Sequence, residues 1–92
     1  MTSNTNEQAN EKVRLTLYSR TYCHLCDDML AALQALRGEF VFDVAVVDVD
    51  ADPVLEARYD ELVPVLVGAD HGELCHYFLD TAKVREYLGR FR

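Results

Sequence analysis

The spacing of apolar residues divides the first part of the chain into a strand and a helix. Val13, Leu15 and Leu17 alternate with polar residues, and this period of two predicts a strand from Val13 to Tyr18. A helix is then predicted from Leu25 to Arg37, because apolar residues recur there every three or four positions on one face, namely Cys26, Met29, Leu30, Leu33 and Leu36. Gly38 follows at the position where a left-handed residue commonly ends a helix.

A second strand is predicted from Phe40 to Val49, where a nearly continuous run of Phe and Val is interrupted only by Asp43 and Asp48. Such continuity is typical of a parallel strand that is covered on both faces. Two parallel strands joined through a helix form a crossover unit, and these units are almost always right-handed.

A short second helix and a third strand follow. Asp52 is a suitable N-cap and Pro53 a suitable first helical residue for a helix from Val54 to Tyr59. The third strand is predicted from Leu62 to Val67. Pro64 lies near its beginning, where its missing N–H removes one hydrogen bond from the sheet.

The last part of the chain predicts one more strand and one more helix. The turn residues 68–72 separate the third strand from an antiparallel fourth strand, Glu73 to Phe78. Asp80 is predicted to cap a final helix whose apolar face carries Val84, Leu88 and Phe91. The predicted order of elements is therefore βαβαββα.

Two cysteines lie at the junction between the first strand and the first helix. Cys23 at a helix N-cap and Cys26 in the first turn share one face, so their sulfur atoms can approach within bonding distance. The unpaired N–H groups and the dipole of the helix stabilise a Cys23 thiolate, and Arg20 is expected to add to this effect. Asp27 and Asp28 oppose it. A charged His24 would support the thiolate, but a solvated loop residue is an equally good interpretation of His24.

Composition limits the classes of protein to consider. With 92 residues the chain is expected to form one domain over residues 12–92, after a disordered leader at residues 1–11. No run approaches the roughly 20 apolar residues of a membrane span, so we expect a cytoplasmic protein. The net charge of -7 argues against a nucleic-acid partner. Three cysteines are too few for a secreted disulfide framework, and the third, Cys75, is interpreted as a buried thiol.

The C-x-x-C motif together with Val63-Pro64 at the start of the third strand resembles the thioredoxin fold in its short, glutaredoxin-like form. The resemblance covers about residues 13–90 and implies an α/β fold of three layers, with a mixed four-stranded sheet and helices on both faces. It also implies that Pro64 is cis and lies against the dithiol, and that the main chain of Val63 pairs with a bound disulfide substrate.

The same resemblance assigns roles to individual residues. Cys23 is implied to be the attacking thiol and Cys26 the resolving thiol, and Arg20 matches a basic residue that glutaredoxins use near the glutathione carboxylate. The implied substrate-binding residues are those that flank or face the dithiol, namely Arg20, Tyr22, His24, Val63, Pro64, Asp80 and Thr81. Asp80 and Thr81 lie where the family offers helix-terminal amides to the free carboxylate of the tripeptide.

The chain also differs from the usual pattern of glutaredoxins. It has His24-Leu25 where they usually have Pro-Tyr between the cysteines, and Tyr77-Phe78 replaces their Gly-Gly pair before the last helix. Leu17 stands where larger thioredoxins have a buried acid. The chain is most similar to small bacterial glutaredoxin-like proteins with a Cys-His-Leu-Cys motif.

Three functional hypotheses follow. The first is a monomeric dithiol–disulfide oxidoreductase that acts on protein or glutathione-mixed disulfides, with a reductase as electron donor, no bound cofactor, glutathione as a co-substrate and no membrane partner. The second is a zinc or iron–sulfur site built from the dithiol and further cysteine or histidine ligands. Its candidate ligands are Cys23, Cys26, Cys75, His24, His71 and His76. The third is an adaptor that has kept the fold without activity.

Overall fold

The computed structural model describes residues 13–91. The predicted leader at residues 1–11 lies outside this range. The described chain forms four strands and three α-helices, in the order predicted from the sequence. They are β1 (Val13–Ser19), α1 (His24–Ala35), β2 (Phe42–Asp48), α2 (Pro53–Tyr59), β3 (Val65–Val67), β4 (Glu73–His76) and α3 (Thr81–Gly89).

The four strands form one mixed sheet in the spatial order β2-β1-β3-β4. β1 and β2 are parallel, with Leu15 opposite Val44, as the predicted helical crossover requires. β3 runs antiparallel to β1, with Tyr18 opposite Val65. β4 runs antiparallel to β3. The carboxyl ends of β1, β2 and β4 and the amino end of β3 therefore meet at one edge of the sheet.

One face of the sheet carries the main hydrophobic core. Side chains at alternate positions of β1 point to this face, where α1 contributes Met29 and Leu33, and α3 contributes Val84 and Leu88. These residues are nearly inaccessible to solvent. The core therefore fixes the position of α1, the helix that follows Cys23.

The opposite face of the sheet is covered more thinly. Tyr18 on this face stacks on Tyr59 at the end of α2, with their ring centroids 4.5 Å apart. Val65 is fully buried, but α2 itself has no buried residue. Within residues 13–91 no helix has the length and apolar content needed to cross a membrane.

Both predicted helix caps after β2 are confirmed. The Asp52 carboxylate accepts a hydrogen bond from the Val54 N–H at 2.9 Å. The Asp80 carboxylate accepts one from the Lys83 N–H at 3.1 Å. Each side chain thereby satisfies a backbone donor that the first turn of a helix leaves unpaired.

The prediction for Gly38 was wrong. No glycine in the described range has a positive φ, and the chain after α1 continues as a short 3₁₀-helix, Leu36–Gly38. Leu36 is buried and its backbone N–H donates to Leu33 and Gln34. Burial of Leu36 keeps the chain helical for another turn, so a left-handed residue is not needed at that point.

The expectation that β2 is covered on both faces was also wrong. β2 begins at Phe42, two residues later than predicted, and is an outer strand that pairs with β1 on one side. Val46 is 54% exposed. A run of valines indicates a strand, but its position in the sheet depends on which other strands pair with it.

The last strands and the last helix are shorter than predicted. β3 begins at Val65, so Pro64 lies just before it, and β4 ends at His76. α3 ends at Gly89, which leaves Phe91 exposed, while Tyr87 is buried on the helix face instead. The periodicity correctly assigned Val84 and Leu88 to the buried face.

Candidate active site

A disulfide joins Cys23 and Cys26 at the amino end of α1, with their Cα atoms 5.2 Å apart. Cys23 is the N-cap and has an extended backbone conformation (φ -116°, ψ 107°). Its Sγ accepts a hydrogen bond from the Cys26 N–H at 3.1 Å, and its carbonyl accepts one from the Asp27 N–H at 3.1 Å. The sulfur of Cys23 thus occupies the place of a capping oxygen, as the sequence predicts.

The two sulfur-bearing residues differ in accessibility. Cys26 is only 2% exposed and lies on the buried side of α1, whereas Cys23 is partly exposed. A reagent from solvent therefore reaches Cys23 more readily than Cys26. This asymmetry follows from the helix, because Cys26 shares a face with the buried Met29.

Pro64 lies beside the end of β1, from which the loop to Cys23 starts. Val65, the next residue, is opposite Tyr18, and the Val63–Pro64 peptide bond is cis. Pro64 is buried, and its carbonyl accepts a hydrogen bond from the Tyr77 N–H at 2.9 Å. The Val63 N–H donates to the Tyr59 carbonyl at 3.2 Å, so this donor already has a partner within the chain.

Arg20, three residues before Cys23, binds two carboxylates. Its Nε donates to Asp50 Oδ2 at 3.2 Å and its Nη2 to Asp50 Oδ1 at 2.6 Å. Nη2 also donates to Asp60 Oδ1 at 2.7 Å, and Nη1 to the Asp60 carbonyl at 3.4 Å. The guanidinium therefore ties the cysteine loop to the segments that follow β2 and α2. We call Arg20, Asp50 and Asp60 the arginine clamp.

The arginine clamp changes the titration of its members. The hydrogen bond from Arg20 lowers the pKa of the Asp50 carboxyl below its ordinary value. Hydrogen bonds to Asp50 and then to Asp60 raise the pKa of Arg20 further above its ordinary range. The cluster holds two carboxylates and one guanidinium, so it carries a net negative charge at neutral pH.

Aromatic residues surround this edge of the sheet. Tyr22, directly before Cys23, is fully exposed and has a positive φ of 58°. Tyr77 also has a positive φ, of 65°, and its hydroxyl donates to the Glu61 carbonyl at 2.8 Å. Phe78 is 69% exposed. A positive φ is unfavourable for such bulky residues, and residues of this kind cluster at functional sites.

The other predicted substrate-binding residues occupy helix ends. His24 is exposed and is the first residue of α1, and Thr81 is exposed and is the first residue of α3. The Asp80 carboxylate is bound to the amino end of α3 as its cap.

Cys75 is not part of the disulfide. It lies on β4 opposite Leu66 and packs against the main core. Burial raises the pKa of its thiol above the ordinary value. The environment of Cys75 therefore disfavours the reactive thiolate form.

The residues considered for a metal site are not gathered in one place. Among residues 13–91 there is no group of three or more His, Cys, Asp and Glu side chains that could hold a metal ion. His76 Nδ1 instead lies 2.6 Å from Glu73 Oε2, and His71 lies in the turn between β3 and β4.

The two partners of Arg20, Asp50 and Asp60, were not among the residues predicted for the site. A signal for Asp50 was available, because Arg20 and Asp50 follow two predicted parallel strands whose carboxyl ends lie at the same edge of a sheet. Nothing comparable indicated Asp60, which follows the short helix α2.

Comparisons with known proteins agree with this architecture. A family model described as "Glutaredoxin-like domain (DUF836)" matches residues 14–89. The solution structure of protein Ne2328 from Nitrosomonas europaea is 39% identical, with a TM-score of 0.78 over 85% of this chain and 93% of that chain. A structural genomics target protein from X. campestris is 37% identical, with a TM-score of 0.68 over 83% of this chain and 96% of that chain. No curated protein matches the sequence significantly.

Thioredoxins share the fold at lower identity. The reduced thioredoxin of Schistosoma mansoni is 19% identical, with a TM-score of 0.63 over 98% of this chain and 89% of that chain. This likeness establishes the thioredoxin fold that the sequence predicts. A cysteine pair at disulfide distance on this fold supports a redox function. From the match over residues 14–89, we conclude that the chain belongs to the glutaredoxin-like domain family.

Proposed function

We propose that this protein is a dithiol–disulfide oxidoreductase in which Cys23 attacks and Cys26 resolves. The observation that carries the proposal is the disulfide between an accessible N-cap cysteine and a buried cysteine one helical turn later. The family and the fold support the same chemistry.

The reduced pair reacts in two steps. The Cys23 thiolate attacks one sulfur of a substrate disulfide, forms a mixed disulfide with it and expels the other sulfur as a thiolate. Cys26, having given up its proton, then attacks the Cys23 sulfur and forms the Cys23–Cys26 disulfide. This step releases the second substrate thiolate, and both released thiolates take up protons. The substrate gains two electrons and the protein loses two.

The local structure supports this division of roles. The Cys26 N–H that meets Cys23 Sγ at 3.1 Å can donate to a thiolate at the same position, and the positive end of the α1 dipole favours negative charge there. The burial of Cys26 protects it from external disulfides while it stays within reach of Cys23. A reductase or a small thiol is then needed to restore the dithiol, and a cytoplasmic setting would provide one.

Single-turnover reduction of 2,2′-dipyridyl disulfide tests the proposal. This uncharged disulfide releases the coloured pyridine-2-thione, and a Cys75→Ser background removes the third thiol. The reduced protein with both site cysteines should release two pyridine-2-thiones and end with the Cys23–Cys26 disulfide. Cys26→Ser should release one and retain a stable mixed disulfide on Cys23, which mass spectrometry of the intact protein and of peptides locates.

Cys23→Ser provides the decisive comparison. We expect its remaining thiol, Cys26, to react far more slowly than Cys23 because it is buried. Equal rates for Cys23→Ser and Cys26→Ser would show that the assignment of nucleophile and resolving thiol is wrong. Turnover with glutathione and glutathione reductase, measured beside turnover with thioredoxin reductase, would identify the electron donor.

A further inference from the structure

We propose that Asp50 and Asp60 hold Arg20 and thereby determine which substrates this dithiol prefers. Disulfides in polypeptide segments without acidic groups beside the cysteine are favoured, and glutathione is disfavoured. The proposal rests on the proposed dithiol–disulfide exchange. It concerns the residues that decide which disulfides reach Cys23.

The hydrogen bonds of Arg20 leave little capacity for a substrate carboxylate. The guanidinium makes four hydrogen bonds to Asp50 and Asp60. An arginine side chain has about five N–H donors in a fixed planar fork, so only one donor remains. The paired donors that bind a carboxylate most tightly are already used by Asp50.

The charges near the dithiol point in the same direction. The arginine clamp has one more negative than positive charge, and Asp27 and Asp28 lie exposed directly after Cys26. Charges act over a Debye length of about 8–10 Å at ordinary ionic strength, and α1 rises only about 1.5 Å per residue. These carboxylates therefore repel an anionic substrate on its way to Cys23, whereas the α1 dipole acts only within the first turn of the helix.

Glutathione and a polypeptide differ in the properties that this surface distinguishes. Glutathione carries a net negative charge at neutral pH, whereas a polypeptide segment can present neutral or basic side chains beside its cysteine. Tyr22 and Phe78 are exposed at the edge of the sheet where the cysteine loop begins, and their rings offer contacts for apolar side chains and backbone. A tripeptide is too short to use much of this surface.

Three thiopyridyl mixed disulfides test the proposal with one leaving group. They are a cysteine peptide flanked by lysines, the same peptide flanked by glutamates, and glutathione itself. In each case Cys23 attacks the substrate sulfur and releases pyridine-2-thione, so rate differences report the substrate. Each rate constant is divided by that for uncharged 2,2′-dipyridyl disulfide, which corrects for changes in Cys23 reactivity.

The wild-type protein should react with the lysine peptide about tenfold faster than with glutathione or the glutamate peptide, and the ratio should shrink at high salt. The variant Asp50→Asn/Asp60→Asn frees Arg20. The normalised rate of this variant with glutathione should be about tenfold higher than that of the wild-type protein. Glu56→Gln/Glu61→Gln is the matched control, because it removes the same charge from exposed residues nearby and leaves the arginine clamp intact. Its rate with glutathione should change less than about twofold.

Arg20→Gln provides a test that does not require the double variant to fold. If Arg20 is held internally, this substitution leaves Asp50 and Asp60 without their cation, so the normalised rates with glutathione and with the glutamate peptide should fall by the same factor and recover at high salt. A large specific loss would show that Arg20 binds the glutathione carboxylate and would overturn the proposal. The proposal would also be overturned if the wild-type protein showed no preference for the lysine peptide. The same holds if the rate of Glu56→Gln/Glu61→Gln with glutathione rose as much as that of Asp50→Asn/Asp60→Asn. Failure of the proposed function would look different, because Cys23 would then react with 2,2′-dipyridyl disulfide no faster than Cys26.

Discussion

Replacing Gly68 with alanine places a methyl group against the ring of Tyr87. A Cβ at this position would lie 2.7 Å from both Cζ and Oη of Tyr87, well inside van der Waals contact. The ring cannot move away freely, because the Tyr87 hydroxyl accepts a hydrogen bond from the Ala69 N–H at 2.7 Å. Gly68 does not need a left-handed backbone, since no described glycine has a positive φ. The close approach of Tyr87 is therefore the reason for a glycine here.

The expected cost follows from these contacts. Overpacking of a buried site typically costs about 1–3 kcal/mol of the free energy of unfolding. Loss of the hydrogen bond to Tyr87 would add about 0.5–1.5 kcal/mol to this cost. Alanine also lowers the conformational entropy of the unfolded chain, which stabilises the folded protein by about 0.4–1 kcal/mol. We expect Gly68→Ala to destabilise the protein by about 2 kcal/mol, which for a domain of this size lowers Tm by about 8–16 °C.

Urea denaturation followed by circular dichroism measures this effect as a shift in midpoint at constant slope. Gly38→Ala is the matched control, because a Cβ at Gly38 would meet no atom within 4 Å. We expect that variant to be as stable as wild type or slightly more stable. In a Tyr87→Leu background the cost of Gly68→Ala should fall, and the double-mutant cycle isolates the contact. Equal stability of Gly68→Ala and Gly38→Ala would show that the contact with Tyr87 is not the reason for a glycine at position 68.

Two further predictions concern the surroundings of the dithiol. Tyr22→Gly removes a bulky residue from a positive φ, so the free energy of unfolding should stay the same or rise by up to about 1 kcal/mol. The normalised rate with the lysine peptide should fall about threefold, and an unchanged rate would remove Tyr22 from substrate binding. The hydrogen bond from Arg20 lowers the pKa of Asp50 below its ordinary value, so the unfolded chain binds more protons than the folded chain at mildly acidic pH. The stability that this carboxylate contributes is therefore lost as the pH falls through its folded-state pKa. Asp50→Asn should flatten the decrease in the urea midpoint below about pH 4, and parallel curves for wild type and Asp50→Asn would contradict this account.

The sequence predicted the elements whose signals are local. Asp52 and Asp80 cap their helices because a carboxylate at that position reaches an N–H two or three residues later, whatever the rest of the fold does. Cys23 and Cys26 form a disulfide for the same reason, since one helical turn separates them. The burial of Cys26 could also be foreseen, because it shares a face with Met29 and Leu33.

The predictions failed where the outcome depends on neighbours far along the chain. Val46 belongs to an apolar run, but it is exposed because β2 is an edge strand. The chain continues after α1 as a 3₁₀-helix instead of turning at Gly38, and the Leu36 side chain is buried in the main core. Phe91 fits the apolar face of α3 by periodicity, but the helix ends before reaching it.

The sequence by itself determined the order of elements, the position of the cysteine pair and the fold that carries it. Periodicity and capping act over a few residues, so they are written in the local sequence. The tertiary structure decided what surrounds the pair. Arg20 meets Asp50 and Asp60 across separations of 30 and 40 residues, and this meeting depends on how β1, β2 and α2 are arranged. The sequence shows a basic residue beside a dithiol, and only the fold shows that two carboxylates already hold it.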